Sequence, residues 1–212
     1  MRLIIGSYRA DEAVVERALA SIQQCVTGID ETVFVDDSGD EAFRKWLRQY
    51  GHVAGVGKDR QGYARAMQAA TRLMTPPFTA WWEEDTYALA PVDLGLLADE
   101  LLADPTLCQL VLRRQPWFER EKEIGVIEAM VERTDAMILR FQGQHGLILK
   151  HQAQFSANPG VWAPHAWEHG WPQCFGSEDQ KTKYLVNKGL WFGWWGDKEL
   201  VCHDSVRSGY GY

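Results

Sequence analysis

Long apolar runs, basic runs and closely spaced cysteines are all missing from this 212-residue chain, and each absence closes off a class of protein. The opening run Met1-Arg2-Leu3-Ile4-Ile5 is too short for a signal peptide. No later run approaches the roughly 20 apolar residues that span a bilayer, so a cytoplasmic protein without a membrane span is expected. With 22 Lys and Arg against 29 Asp and Glu, the formal net charge is −7 and no basic patch stands out. That argues against a nucleic-acid partner. Cys25, Cys108, Cys174 and Cys202 lie far apart, without zinc-site spacing, and read as buried, reduced thiols. There is no repeat, low-complexity tract or linker either, so one domain spanning 1–212 is expected, and the oligomeric state is not legible.

What the chain has in abundance is tryptophan. There are ten, and six of them, Trp162, Trp167, Trp171, Trp191, Trp194 and Trp195, fall after residue 160. Any single Trp is more often core filler than ligand platform, yet flat aromatic faces also stack on sugar rings and bases. Their density in the C-terminal half points to a ring-shaped ligand.

Periodicity supplies the architecture. Arg2 to Ser7 and Thr32 to Asp36 read as short buried strands, with a helix between them over Asp11 to Val26 capped by Asp11. Helices follow over Glu41 to Tyr50, Gln61 to Met74 and Pro91 to Ala103, interleaved with strands at His52 to Val56, Phe78 to Trp82 and Leu107 to Arg113. Such alternation predicts a mostly parallel sheet flanked by helices, with its ligand beyond the carboxyl ends of the strands. Further on, Glu119 to Leu139 reads as one amphipathic helix, with Ile124, Ile127, Val131 and Ile138 on its apolar face. Leu147 to Phe155 reads as a strand, Glu178 to Lys188 as a helix, and Leu190 to Cys202 as one or two aromatic strands.

Two acidic groups sit at predicted strand ends, Asp36-Asp37 and Glu83-Glu84-Asp85. Three adjacent carboxylates after an apolar run repel one another unless a divalent cation or protonation relieves them, so a metal site competes here with a solvated acidic turn. In order and spacing, Ile4 to Arg9, Val33 to Gly39, Gly57 to Arg65, Trp82 to Asp85, Gly176 to Asp179 and His203 resemble the motifs of family-two-like glycosyltransferases of the GT-A fold, compact phage-encoded members in particular. The resemblance covers nearly the whole chain. It implies a Rossmann-like GT-A α/β fold, with residues 1–115 as the nucleotide-sugar half and 116–212 as the acceptor half and tail.

Residue by residue, the resemblance implies donor contacts from Ser7, Tyr8 and Arg9 in the first loop and from Asp36 to the base. Arg60 and Arg65, with Lys58, would lie toward the phosphates. Asp85 and His203 are implied metal ligands for Mn²⁺ or Mg²⁺, with Asp204 beside His203. Glu83, in place of the family's first Asp and one methylene longer, would stand with Glu84 near the metal or ribose. Asp179, paired with Glu178, is the implied general base, which makes the reaction inverting. Asn158, Trp162, Trp167 and Trp171 would shape the acceptor side, and Arg207, Tyr210 and Tyr212 would belong to a closing tail. The implied donor is UDP-linked ahead of GDP-linked, and the acceptor a glycan or protein, in the host cytoplasm for a phage-encoded enzyme. Two rival readings fit the same residues, a non-catalytic carbohydrate-binding module and a sugar-phosphate nucleotidyltransferase.

Overall fold

The computed structural model describes residues 1–203; Asp204, Arg207, Tyr210 and Tyr212 lie outside the described residues. Branched residues open the chain as β1 (Arg2–Ser7), followed by α1 (Glu12–Cys25). Asp11 caps α1 by accepting from the Val14 N–H at 3.2 Å, as its position before the apolar period predicts. Next come β2 (Val26–Thr27), β3 (Glu31–Asp36), α2 (Glu41–Leu47), β4 (His52–Gly55), α3 (Tyr63–Leu73) and β5 (Thr79–Glu83). The short β6 (Thr86–Ala88) and β7 (Val92–Asp93) lead into α4 (Leu94–Ala103) and β8 (Leu107–Leu112).

The expected single helix over 119–139 does not form. Gly125, at φ +102°, separates α5 (Glu119–Ile124) from α6 (Val126–Thr134), because that backbone conformation cannot continue a helix. Ile138 and Leu139 belong instead to β9 (Ile138–Gln142). The rest is β10 (Leu147–His151), β11 (Gly160–Trp162), α7 (Ser177–Asn187), β12 (Trp191–Trp195) and β13 (Val201–His203).

Nine of these strands form one sheet in the order β4-β3-β1-β5-β11-β8-β12-β10-β9. The β4, β3, β1 and β5 neighbours are parallel, and so are β8 and β12. β11 runs against both β5 and β8, and β10 against both β12 and β9. Only β11 and β10 therefore oppose the common direction among the nine. Both faces are covered: along β1, Leu3 and Ile5 enter the cluster that contains Phe34, Leu47 and Trp82, while Ile4 enters the one that contains Val35, Met67 and Trp162.

β11 is wedged tightly. A Cβ at Gly160 would stand 2.2 Å from the Leu110 carbonyl oxygen, a backbone atom that cannot step aside. Gly160→Ala is expected to cost about 3 kcal/mol and to lower the melting temperature by roughly 10 °C in a thermal unfolding scan.

A second stability element lies on β10. His151 is 1% exposed, and its Nδ1 accepts from the Ala153 N–H at 3.2 Å. Burial pushes its pKa down to about 3. The unfolded chain binds this proton near pH 6.5 and the folded one does not, so stability is intact above pH 6.5 and falls as the pH drops toward 3. Relative to His151→Phe, the wild-type chain is expected to lose about 3 kcal/mol more between pH 7 and pH 4, read from urea midpoints at the two values.

Candidate active site

β5 delivers the acidic cluster to the carboxyl edge of the parallel strands. Glu83 is opposite Gly6 in the β1 pairing, and the Glu84 N–H donates to the Gly6 carbonyl at 3.0 Å, holding the two strand ends level. The turn that follows is closed by the Trp82 indole N–H, which donates to the Thr86 carbonyl at 2.8 Å. β6 then pairs with β13, setting His203 opposite Thr86 and one residue away from Asp85.

The result is a buried triad of side chains. Glu83, Asp85 and His203 each offer one ligand atom, and these atoms lie within 4.8 Å of one another. His203 Nδ1 is 3.6 Å from Asp85 Oδ1, and its Nε2 is 3.9 Å from Glu83 Oε2. Two carboxylates and an imidazole form a donor set suited to Mn²⁺ or Mg²⁺, and their burial keeps the field there strong, so the residues fit a divalent cation. The Arg9 guanidinium approaches Asp85 Oδ2 at 3.5 Å.

Glu84 faces the other way. Its carboxylate accepts from Ser7 Oγ at 2.7 Å and from the Tyr8 and Arg9 N–H groups at 3.1 and 2.9 Å, so it braces the first loop. Desolvation raises its pKa to about 7 in spite of these three bonds, which pull the other way. Ser7 is tied into the same brace. Tyr8 carries two guanidinium groups near its ring, Arg9 at 5.5 Å and Arg60 at 5.0 Å. Arg65 and Lys58 are exposed.

Asp36, expected to meet a base, is instead completely buried. Its Oδ2 accepts from Arg44 Nε at 2.7 Å and Ser38 Oγ at 2.9 Å, and Arg44 continues to the Gly57 carbonyl at 2.6 Å. The carboxylate thus joins β3 to α2 and the following loop. Asp37 takes the neighbouring task, accepting from the Gln61 and Gly62 N–H groups at 2.7 Å each.

A cavity of about 450 Å³ opens beside the triad, with Glu83 and His203 in its wall together with Asn158, Glu178 and Asp179. Its size falls in the range of about 300–1,000 Å³ typical of small-molecule sites. Asp179 is exposed in the first turn of α7, behind Gly176. Glu178 accepts from the Tyr63 hydroxyl and, at 3.4 Å, from Gln154 Nε2.

The aromatic platforms expected from the sequence are not there. Trp162 is fully buried, and Trp167 and Trp171 nearly so. Trp162 stacks with Trp81 at 5.8 Å and with Trp171 at 6.3 Å, because the bulk of three indoles fills the space under α7 and α3. The aromatics that do line the cavity are Trp117, Tyr63 and the fully exposed Phe175, none of them anticipated. The available signal for Trp117 was its position just past the carboxyl end of β8, where ligands of such sheets gather. Cys174, expected to be a buried thiol, is exposed on the same wall.

The chain is similar in structure to glycosyltransferases. A mannosyltransferase from Pyrobaculum calidifontis, solved with GDP-Man and Mn²⁺, superposes with a TM-score of 0.65 at 17% identity, over 99% of this chain and 58% of that one. S. aureus TarS 1-349 with UDP-GlcNAc gives 0.61 at 16% identity, over 99% and 59%, and the same protein with UDP gives 0.59 at 15%, over 95% and 59%. The present chain thus spans a little under three fifths of the length of these structures, and what it shares with them is the GT-A fold. No protein-family model and no curated protein matches it. Among the described residues no helix is long and apolar enough to cross a membrane.

Proposed function

We propose that this chain is a metal-dependent glycosyltransferase that moves a sugar from a nucleoside-diphosphate sugar to an acceptor hydroxyl, with inversion at the anomeric carbon. The observation that carries the reading is the buried Glu83–Asp85–His203 triad at the carboxyl edge of a GT-A sheet, with Glu83 and His203 in the wall of a ligand-sized cavity. The similarity to structures solved with GDP-Man and with UDP-GlcNAc supports the same donor class here, with a UDP- or GDP-linked sugar as substrate.

Glu83, Asp85 and His203 would hold the cation, whose positive charge offsets the negative charge that builds on the departing diphosphate. Arg9 and Arg60, gathered at the Tyr8 ring, add two guanidinium groups on the donor side. Asp179 projects from the start of α7 into the cavity, where it would take the proton of the acceptor hydroxyl as that oxygen attacks the anomeric carbon. Glu178, engaged with Tyr63 and Gln154, fixes the turn that presents Asp179. Residues 1–115 supply the donor side in this reading, and 116–212 the acceptor side.

A thermal-shift panel tests the proposal. UDP or GDP with Mn²⁺ is expected to raise the melting temperature, and neither nucleotide alone to do so to the same extent, since a ligand confined to the folded state stabilises it by mass action. Absence of any metal-dependent shift across UDP, GDP, CMP and dTDP compounds would remove the reading.

A further inference from the structure

His203 reaches the triad at the end of a three-residue strand. Thr86 Oγ1 and Asn158 Oδ1 are each 3.5 Å away, and the two carboxylates are farther. Trp117 packs against the same ring, its centroid 4.1 Å from that of the imidazole with 71° between the planes.

Trp117 is itself held by two neighbours. The Arg114 guanidinium packs over its ring at 4.1 Å, and Glu121 Oε2 accepts from its backbone N–H at 2.8 Å. Arg114 and Glu121 are joined by two hydrogen bonds, at 2.8 and 3.0 Å, with side chains only 6% and 5% exposed. The same segment is stitched to β13: Arg114 bridges Val201, and the Gln115 N–H donates to the Val201 carbonyl at 3.0 Å. Removing two charges from water to form such a pair is expensive, and apolar residues of like volume generally serve a core as well or better. What an ion pair offers over apolar filler is a fixed fork geometry, and here that geometry ends on the indole beside His203.

We propose that the Arg114–Glu121 pair holds Trp117 as a strut against His203, so that Trp117 and the pair are positioning residues for the imidazole at the cation site. This rests on the metal-site reading above. Second-layer groups that orient a ligating imidazole commonly change metal affinity by about 10- to 100-fold when removed.

The test is Mn²⁺ binding by the full chain, read from the free-ion electron paramagnetic resonance signal, which needs neither substrate nor turnover. Trp117→Ala and Trp117→Leu are expected to weaken Mn²⁺ binding about tenfold, and Trp117→Phe, which keeps a flat ring against the imidazole, to stay within about threefold of wild type. Trp117 is only partly buried, and the leucine variant keeps apolar bulk there should alanine fail to fold. His203→Ala is the reference for loss of the ligand itself. If the leucine variant binds Mn²⁺ as tightly as wild type while His203→Ala does not, the strut is refuted and the metal site stands. If His203→Ala also matches wild type, or wild type binds no Mn²⁺, the metal-site reading fails and takes the strut with it. A phenylalanine variant as weak as alanine would likewise overturn the ring-packing argument.

Discussion

An Asp85→Ala chain is expected to lose Mn²⁺-dependent stabilisation by nucleoside diphosphates and to transfer sugar at least about a thousandfold more slowly than wild type. Asp85 is completely buried, flanked by His203 and by the Arg9 guanidinium, in the turn just past the end of β5. Its loss removes the carboxylate that faces both the imidazole and the guanidinium. It also leaves Arg9 without that counter-charge, so the defect reaches donor affinity as well as rate. The measurement is twofold, a thermal shift with UDP or GDP plus Mn²⁺, and release of nucleoside diphosphate in the presence of an acceptor. Wild-type turnover by the alanine chain would end the metal-site assignment. Release of pyrophosphate instead of nucleoside diphosphate by the wild type would point to a nucleotidyltransferase.

The second large effect is expected at Asp179. Asp179→Asn keeps the shape and the helix start but cannot accept the proton of an attacking hydroxyl, so transfer is expected to fall about 10²- to 10⁴-fold. Asp179 lines the cavity from α7, while the triad is built on β5, the turn that follows it and β13. The metal-dependent thermal shift is therefore expected to survive, which separates this defect from that of Asp85→Ala. An asparagine chain with the wild-type transfer rate would strike Asp179 from the role of base.

Local signals made the N-terminal half readable. The branched run of β1, the Asp11 cap and the three- and four-residue apolar period of α1 each act within a few residues of themselves, and the structure follows them closely. The same holds for the acid-rich end of β5, whose position depends only on where an apolar run stops. What escaped was set by distant partners. β11 is three residues long and exists because β5 and β8 leave a slot for one antiparallel strand between them, which no window of the sequence records. Asp36 carries the composition of a ligand-binding turn, yet Arg44, one turn into the next helix, claims its carboxylate. The tryptophans were misjudged in the same way: density gave no means of telling Trp162, packed between two other indoles, from Trp117, which meets the cavity.

The β6–β13 pairing carries a further consequence. Asp85 and His203 are separated by more than half the polypeptide, so the proposed cation site is not assembled until the last described strand has docked beside the turn that follows β5. A chain interrupted between β8 and β13 would keep β5 with Glu83 and the turn with Asp85 and still lack the third proposed ligand. In the proposed reading, ion binding therefore reports that β13 has docked on β6, and copies nicked between these two strands would be silent instead of wasteful.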